Sequence, residues 1–306
     1  MSRLTSLEFR DTLTDAINEH SAEYAAVYSL SIRWACDDVR AFTAAMEFQK
    51  ILDILQLPSA TELTIEKSDS TPGWTAQGKL RELLASAKNS IGRALVIVHY
   101  AGQGLLSRNA LAINLCDRLN TRRFVSFDVD TFLISLALPV HYDLRTSANV
   151  DVLFVLDCDY PLGASYAPTL GTHVVEVLAA VDEDYSCSYH DTPSLAEHLR
   201  NEIARRHKEG ARYVEVADLV RTLKGRSDLN MTPTHNLKLG ASSICLPLAG
   251  LKNPVNYPRI HPSLKAVFTV QVADNMTREQ LDQLVSFIRN AGPDIALTLQ
   301  SIYPSD

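Results

Sequence analysis

Strand-length apolar segments alternate with helical patterns along most of this 306-residue chain, and that alternation limits the possible folds more than any other feature. RALVIVHY (93–100) and VDVLFVLD (150–157) are apolar almost without interruption, which is typical of central parallel strands covered on both faces. Further predicted strands are YAAVYSLSI (24–32), ELTIE (62–66) and HVVEVLAAV (173–181). The sequence therefore predicts an α/β fold with a mostly parallel sheet and helices on both faces.

Helical signals occupy the intervals between these strands. One helix is expected to begin after Asp37 or Asp38 and to end before Pro58, and another has Thr192 or Ser194 as its cap. Each is long enough to cross one face of the sheet and to connect parallel strands. The other predicted elements are helices at 76–87, 128–138, 192–210 and 214–223, and a last core strand within 235–248.

Three segments are expected along the chain. Residues 1–249 are predicted to form the main α/β domain, and residues 250–263 a proline-rich connector. Because the remaining unit is too small to stand alone, we expect it to pack on the main domain. This extension, residues 264–306, is predicted as a strand, a helix and a strand, at 265–273, 277–291 and 294–303.

Composition excludes several classes of partner. The chain carries 29 Lys and Arg against 36 Asp and Glu and has no basic run interleaved with aromatics, so nucleic acid is not an expected partner. No apolar run approaches the roughly 18–20 residues of a membrane span, and no signal peptide is recognisable at the start, so no membrane partner is expected. The five cysteines are scattered without a C-x-x-C pair, which favours a reduced, cytoplasmic protein.

Two glycine-containing segments imitate nucleotide-binding loops without completing them. GWTAQGKL (73–80) has the glycine and lysine spacing of a P-loop, but Leu80 stands where a Ser or Thr hydroxyl should bind magnesium. Gly102 and Gly104 match two glycines of a dinucleotide-binding loop that lacks its third. The nine histidines form no cluster with metal-ligand spacing, so neither a cofactor nor a metal is expected.

The sharpest functional signal lies where two predicted strands end. VIVHYAGQG (96–104) and VDVLFVLDCDYPLG (150–163) each run from an apolar strand into a short polar loop. The carboxyl ends of parallel strands meet at one edge of a sheet, where open α/β proteins bind ligands. The sequence therefore predicts a ligand site at this edge. His99, near the first strand end, is interpreted as a hydrogen-bonded core histidine in preference to a catalytic base.

These two strand ends resemble the caspase-like superfamily, and most closely the caspase-like domain proteins of filamentous fungi. In that family one strand ends in a Tyr-Ala/Ser-Gly-His-Gly segment with the catalytic histidine, and the next ends in Asp-Cys-Cys or Asp-Ser-Cys, whose last cysteine is the nucleophile. Here HYAGQG places Gln103 at the histidine position, and DCDYPLG places Asp159 at the cysteine position. Weaker resemblances lie in IRWACDDVRAF, TRRFVSFDVDTFLISLAL, TPTHNLKLGASSICLPL and the C-terminal KAVFTVQVADN.

The resemblance implies a caspase-like fold without cysteine-protease chemistry. The family's thiolate attacks an amide carbonyl while the histidine transfers protons, whereas a glutamine carries no proton and a carboxylate is a poor nucleophile toward amides. The chain is therefore predicted to be a pseudoprotease that binds a protein or peptide partner, for example a related caspase-like protein. A homodimer is also compatible with the sequence.

The resemblance assigns further positions to the cleft. The backbone N–H groups of Asp159 and Gly104 stand at the oxyanion-binding positions, and Gly102 precedes the histidine position in the same cleft segment. Asp157 matches an acid that in metacaspases helps to bind a basic substrate residue. Cys158 is not expected to replace the nucleophile at position 159, because neighbouring side chains on an extended segment point to opposite faces. We expect Cys158 to face the packed interior.

Two other interpretations remain open. Gln103, Asp159, His99 and Tyr100 could serve a repurposed enzyme acting on a small molecule or another non-peptide substrate, with Asp159 as a general base or carboxylate nucleophile. Alternatively, the Gln103 amide and the Asp159 carboxylate hydrogen-bond each other and join two strand ends. The repurposed enzyme is motivated by the polar, hydrogen-bonding character of the two replacements.

Overall fold

The structure is a computed structural model. It describes residues 6–21, 23–35, 39–106, 113–116, 126–138, 149–159, 173–182, 193–226, 231–240, 242–251 and 276–289. In chain order its elements are α1 (Ser6–Ser21), β1 (Ala26–Trp34), α2 (Val39–Ile54), β2 (Thr61–Ile65), α3 (Pro72–Lys88), β3 (Ala94–Ala101), β4 (Gln103–Leu106), β5 (Ile113–Cys116), β6 (Ser126–Asp128), a π-helical turn (Asp130–Ile134) continued by α4 (Ser135–Ala137), β7 (Val150–Asp159), β8 (Val175–Asp182), α5 (Leu195–Lys208), β9 (Tyr213–Glu215), α6 (Val216–Lys224), β10 (Met231–Leu239), β11 (Cys245–Pro247) and α7 (Arg278–Arg289).

A six-stranded sheet forms the centre of the fold, in the order β10-β8-β7-β3-β1-β2. Neighbouring strands are parallel from β8 to β2, and only the edge strand β10 runs antiparallel to its neighbour β8. Helices follow β1 and β2 along the chain, as crossover connections between parallel strands require, and α5 follows β8. The predicted class, an α/β fold with a mostly parallel sheet flanked by helices, is confirmed.

Both faces of the central sheet are covered, which explains why its middle strands are apolar almost without interruption. Successive side chains of β3 alternate in direction. Leu95 and Ile97 pack in a core with residues of α2 and α5, whereas Val96 and Val98 pack in a second core with residues of α3 and the π-helical turn. We call these the α2/α5 face and the α3 face of the sheet.

Helix α5 begins at one of the two predicted caps. The Ser194 Oγ accepts a hydrogen bond from the backbone N–H of Glu197 at 3.1 Å. This bond satisfies one of the N–H groups that a helix leaves free at its start. The helix predicted at 76–87 begins earlier, at Pro72, so the two glycines of the P-loop-like segment lie inside α3.

The last core strand expected within 235–248 is β10, which begins earlier, at Met231, and ends at Leu239. The later part of this range contains β11, which pairs with β9 in a separate two-stranded sheet. Gly240 separates the two with φ of +107°, and a Cβ there would lie 3.2 Å from the His173 carbonyl oxygen. Only glycine adopts this conformation without strain, so the chain turns away from the sheet at that point.

Helix α1 was not predicted, and it packs against α7. Buried side chains join the two helices across most of the chain length: Leu13, Ala16, Leu281, Val285 and Ile288. The helix predicted at 277–291 is confirmed by α7, whereas the connector and the strands predicted at 265–273 and 294–303 lie outside the described residues. None of the described helices is long and apolar enough to cross a membrane.

Candidate functional site

The two strands that carry the predicted site are hydrogen-bonded neighbours. Strand β3 pairs with β7 in parallel from Ala94 opposite Val150 to Ala101 opposite Asp157. The Gly102 backbone N–H then donates to the Asp157 carbonyl oxygen at 3.5 Å. Residues 102–104 and 157–159 therefore lie at one edge of the sheet, which we call the strand-end site.

A small antiparallel sheet leaves the strand-end site directly after Gly102. Its strands lie in the order β4-β5-β6, with Gln103 opposite Cys116 and Cys116 opposite Ser126. Strand β4 also contacts β7. The backbone that carries Gln103 thus lies beside the strand that ends at Asp159. The side chains of Gln103 and Asp159 themselves are outside the described part of the structure.

Strand β7 is irregular where it reaches the strand-end site. Leu156 lies opposite Ala179 of β8, and the next pair joins Asp159 to Ala180, so β7 carries two extra residues between these pairs. Such bulges bend a strand, change the direction of the following side chains and are frequent beside functional sites. The extra residues are Asp157, which the resemblance assigned to the cleft, and Cys158, which was expected to face the interior.

Asp157 anchors helix α5. Its carboxylate is buried, and its Oδ1 and Oδ2 accept hydrogen bonds from the backbone N–H groups of Leu195 at 3.1 Å and Ala196 at 2.9 Å. A carboxylate at a helix start also complements the positive end of the helix dipole. The role for Asp157 that the resemblance implied, binding a basic side chain, therefore competes with two bonds inside the protein.

His99 is a core histidine on the α2/α5 face, in agreement with the interpretation of the sequence. Its ring is fully buried, stacks on Phe48 with centroids 4.4 Å apart, and places Nδ1 3.2 Å from the Ser31 Oγ. Burial lowers the pKa of His99 to about 3, so the ring is neutral near pH 7. Within the described residues Nε2 has no hydrogen-bond partner. This burial makes His99 unsuitable as a base for the strand-end site.

Tyr100 and Cys158 lie on the opposite, α3 face. The Tyr100 hydroxyl accepts a hydrogen bond from the Trp34 indole N–H at 3.1 Å. Cys158 belongs to the same core as Tyr100, as expected of a cysteine that faces the interior. The predicted site residues are therefore divided between the two faces: His99 and Asp157 lie on one, and Tyr100 and Cys158 on the other.

A row of aromatic rings runs from Tyr100 to the protein surface and was missed in the sequence. Trp34 lies 6.2 Å from Phe127, Phe127 lies 6.2 Å from Phe132, and Phe132 lies 5.5 Å from Trp74, all measured between ring centroids. Trp34 is fully buried, whereas Trp74 is 62% exposed. A tryptophan placed after Pro72-Gly73 at a helix start was the available signal, but its partner Phe132 is far away in the sequence.

The described residues include no group of three or more His, Cys, Asp or Glu side chains arranged to hold a metal ion. Comparison with known proteins adds no relative, because no family model and no curated protein matches this chain. The candidate site is thus defined by its own geometry. It consists of two adjacent strand ends, a bulged β7, a fixed α5 start and a small sheet that begins at Gln103.

Proposed function

We propose that this chain is a caspase-like pseudoprotease that binds a peptide segment of a protein partner at the strand-end site without hydrolysing it. The observation that carries the proposal is the pairing of β3 and β7, which brings the positions resembling a catalytic dyad to adjacent strand ends. Gln103 occupies one of these positions and Asp159 the other.

The chemistry of the neighbouring residues supports loss of peptidase activity. Amide hydrolysis by this family needs a thiolate and a group that transfers protons. Cys158 lies in the hydrophobic core, and the imidazole of His99 is buried and neutral. Neither residue can replace the missing histidine or cysteine of a catalytic dyad at the strand-end site.

The architecture around the site supports a binding role. The bulge of β7, the carboxylate-anchored start of α5 and the antiparallel sheet that follows β3 fix the backbone on three sides of the edge. A rigid backbone lowers the entropy lost when a peptide binds. An extended peptide segment is the expected ligand because the family that these two strand ends resemble acts on peptides.

Peptide turnover separates this proposal from an active protease. Fluorogenic peptides with Arg, Lys or Asp before the scissile amide are expected to be cleaved no faster by the wild type than by Asp159→Ala, because residue 159 supplies no nucleophile. The same peptides without the cleavable amide, labelled with fluorescein, are expected to bind the wild type in fluorescence anisotropy. Their affinity should fall about tenfold in Asp159→Ala through loss of one charge-assisted hydrogen bond.

The matched control is Asp282→Ala, since Asp282 is an exposed aspartate on α7. It should leave peptide affinity unchanged. Steady cleavage by the wild type that disappears in Asp159→Ala would refute the proposed function.

A further inference from the structure

Trp74 presents an aromatic surface at the same edge of the protein as the strand-end site. It lies in the first turn of α3, which follows the carboxyl end of β2, and 62% of its surface is exposed. Its backbone N–H donates to the Thr71 carbonyl at 2.9 Å. A tryptophan this exposed on a well-formed helix is unusual for a residue that only packs.

Two phenylalanine rings support the ring of Trp74 on its buried side. Phe132 meets it edge to face, with an interplanar angle of 82°, and Phe127 meets Phe132 at 88°. Gly73 allows this arrangement, since a Cβ there would lie 2.8 Å from the Phe132 ring and 2.9 Å from Phe127. The aromatic surface is therefore preorganised, which lowers the entropy lost on binding.

The segments that carry this aromatic surface are acidic. Asp69 is fixed beside the first turn of α3, because its Oδ1 accepts from the Thr71 N–H at 2.8 Å and its Oδ2 from the Thr75 hydroxyl at 2.6 Å. These bonds lower the pKa of Asp69 and keep it ionised at neutral pH. The segments that carry Trp74 and Phe132, residues 66–74 and 126–132, contain four carboxylates and one ammonium group: Glu66, Asp69, Asp128, Asp130 and Lys67.

The small sheet connects this surface to the strand-end site. Gly104 of β4 lies opposite Leu115 of β5, which lies opposite Phe127 of β6. Two strand spacings separate Gly104 from Phe127, a distance of about 10 Å. About three residues of an extended peptide cover that distance.

We propose that Trp74, supported by Phe132 and carried by acidic segments with Asp69 fixed beside it at the start of α3, is a subsite that binds an arginine side chain of a peptide whose neighbouring residues occupy the strand-end site. The inference rests on the proposed function and adds a preference for cationic ligands. Arginine is the best match because its planar guanidinium stacks on an aromatic face and pairs with carboxylates at its edge. The acidic residues favour this ligand over an apolar side chain, which would gain no electrostatic attraction from them.

The intrinsic fluorescence of the protein reports on this subsite directly. Of the two tryptophans, Trp34 is fully buried and Trp74 is exposed, so a change in emission on ligand addition reports on Trp74. The probe is the acetylated, amidated heptapeptide GSRGRSG, compared with the same peptide carrying citrulline or norleucine in place of both arginines. The arginine peptide is expected to change the emission and to bind about five- to tenfold more tightly than either analogue.

Two substitutions test whether Trp74 is responsible for binding the arginine peptide. Trp74→Leu is expected to weaken binding of the arginine peptide about five- to tenfold in calorimetry. Phe287→Leu is the matched control, because Phe287 is an aromatic on α7 with 69% exposure, and it should not change the affinity. Thermal melting of each variant establishes that it is folded.

Each outcome discriminates between the two proposals. Binding that is lost in Asp159→Ala but kept in Trp74→Leu would overturn the subsite and leave the proposed function standing. Binding that is lost only in Trp74→Leu would keep the subsite and contradict its link to the strand-end site. Equal affinity of the arginine and norleucine peptides, or no binding of the arginine peptide at millimolar concentration, would overturn the inference.

Discussion

Replacing Asp151 with alanine is expected to lower the free energy of unfolding by about 3–4 kcal/mol. Asp151 lies near the start of β7, at the sheet edge opposite the strand-end site, and is only 1% exposed. Its carboxylate accepts hydrogen bonds from the Tyr24 hydroxyl and the Arg93 guanidinium, both at 2.8 Å, and from the Val174 N–H at 2.8 Å. Alanine would leave all three donors without this acceptor.

The Tyr24 hydroxyl is a dependable donor in this cluster. Burial, together with the charge of Asp151, raises the pKa of Tyr24 well above its ordinary value, so the proton is retained. Urea denaturation at pH 7 measures the effect of the substitution. Asp282→Ala should change stability by no more than about 0.5 kcal/mol, because its carboxylate is exposed. Unfolding of Asp151→Ala at the same urea concentration as the wild type would contradict the structural role of this cluster.

Acidification is expected to destabilise the protein through His99. The pKa of His99 is about 3 in the folded protein and about 6.5 in an unfolded chain, so the fold favours the neutral ring. The stabilisation is therefore complete above pH 6.5 and is lost as the pH falls toward 3. Between pH 7 and pH 4.5 this group alone should remove about 2–3 kcal/mol of unfolding free energy.

The contribution of His99 can be isolated by comparison with His99→Leu. Other groups titrate in both proteins, so the wild type should lose about 2–3 kcal/mol more than the variant between these two pH values. A pH titration of the wild-type histidines by NMR provides a second measurement that needs no variant. A His99 ring that gains its proton near pH 6.5 in the folded protein would contradict this expectation.

The sequence predicted the central sheet well because its strands are buried on both faces. RALVIVHY and VDVLFVLD had to be apolar almost without interruption, and β3 and β7 are neighbours at the centre of the sheet. The positions of Gln103 and Asp159 at one edge followed from the parallel direction of these strands. The Ser194 cap was also predictable, since capping depends on residues that are close in the chain.

Features that depend on distant contacts were not predictable. Strands β4, β5 and β6 have four, four and three residues, too few for a period-2 pattern. Helix α1 is stabilised by α7, which lies at the other end of the chain. The hydrogen bonds from the start of α5 to Asp157 depend on the bulge in β7, and no local sequence pattern predicts that bulge.

The proposed function requires residues 103 and 159 to face each other as the histidine and the cysteine do in an active caspase-like protease. Asp159→Cys, in a Cys158→Ala background that removes the adjacent thiol, is compared with the same protein carrying Gln103→His as well. The pH dependence of iodoacetamide alkylation, mapped to the peptide by mass spectrometry, gives the pKa of the introduced thiol. Addition of the histidine is expected to lower that pKa by about one unit or more, because an imidazolium within hydrogen-bond reach stabilises the thiolate. Identical pH profiles for the two proteins would show that positions 103 and 159 do not share a site.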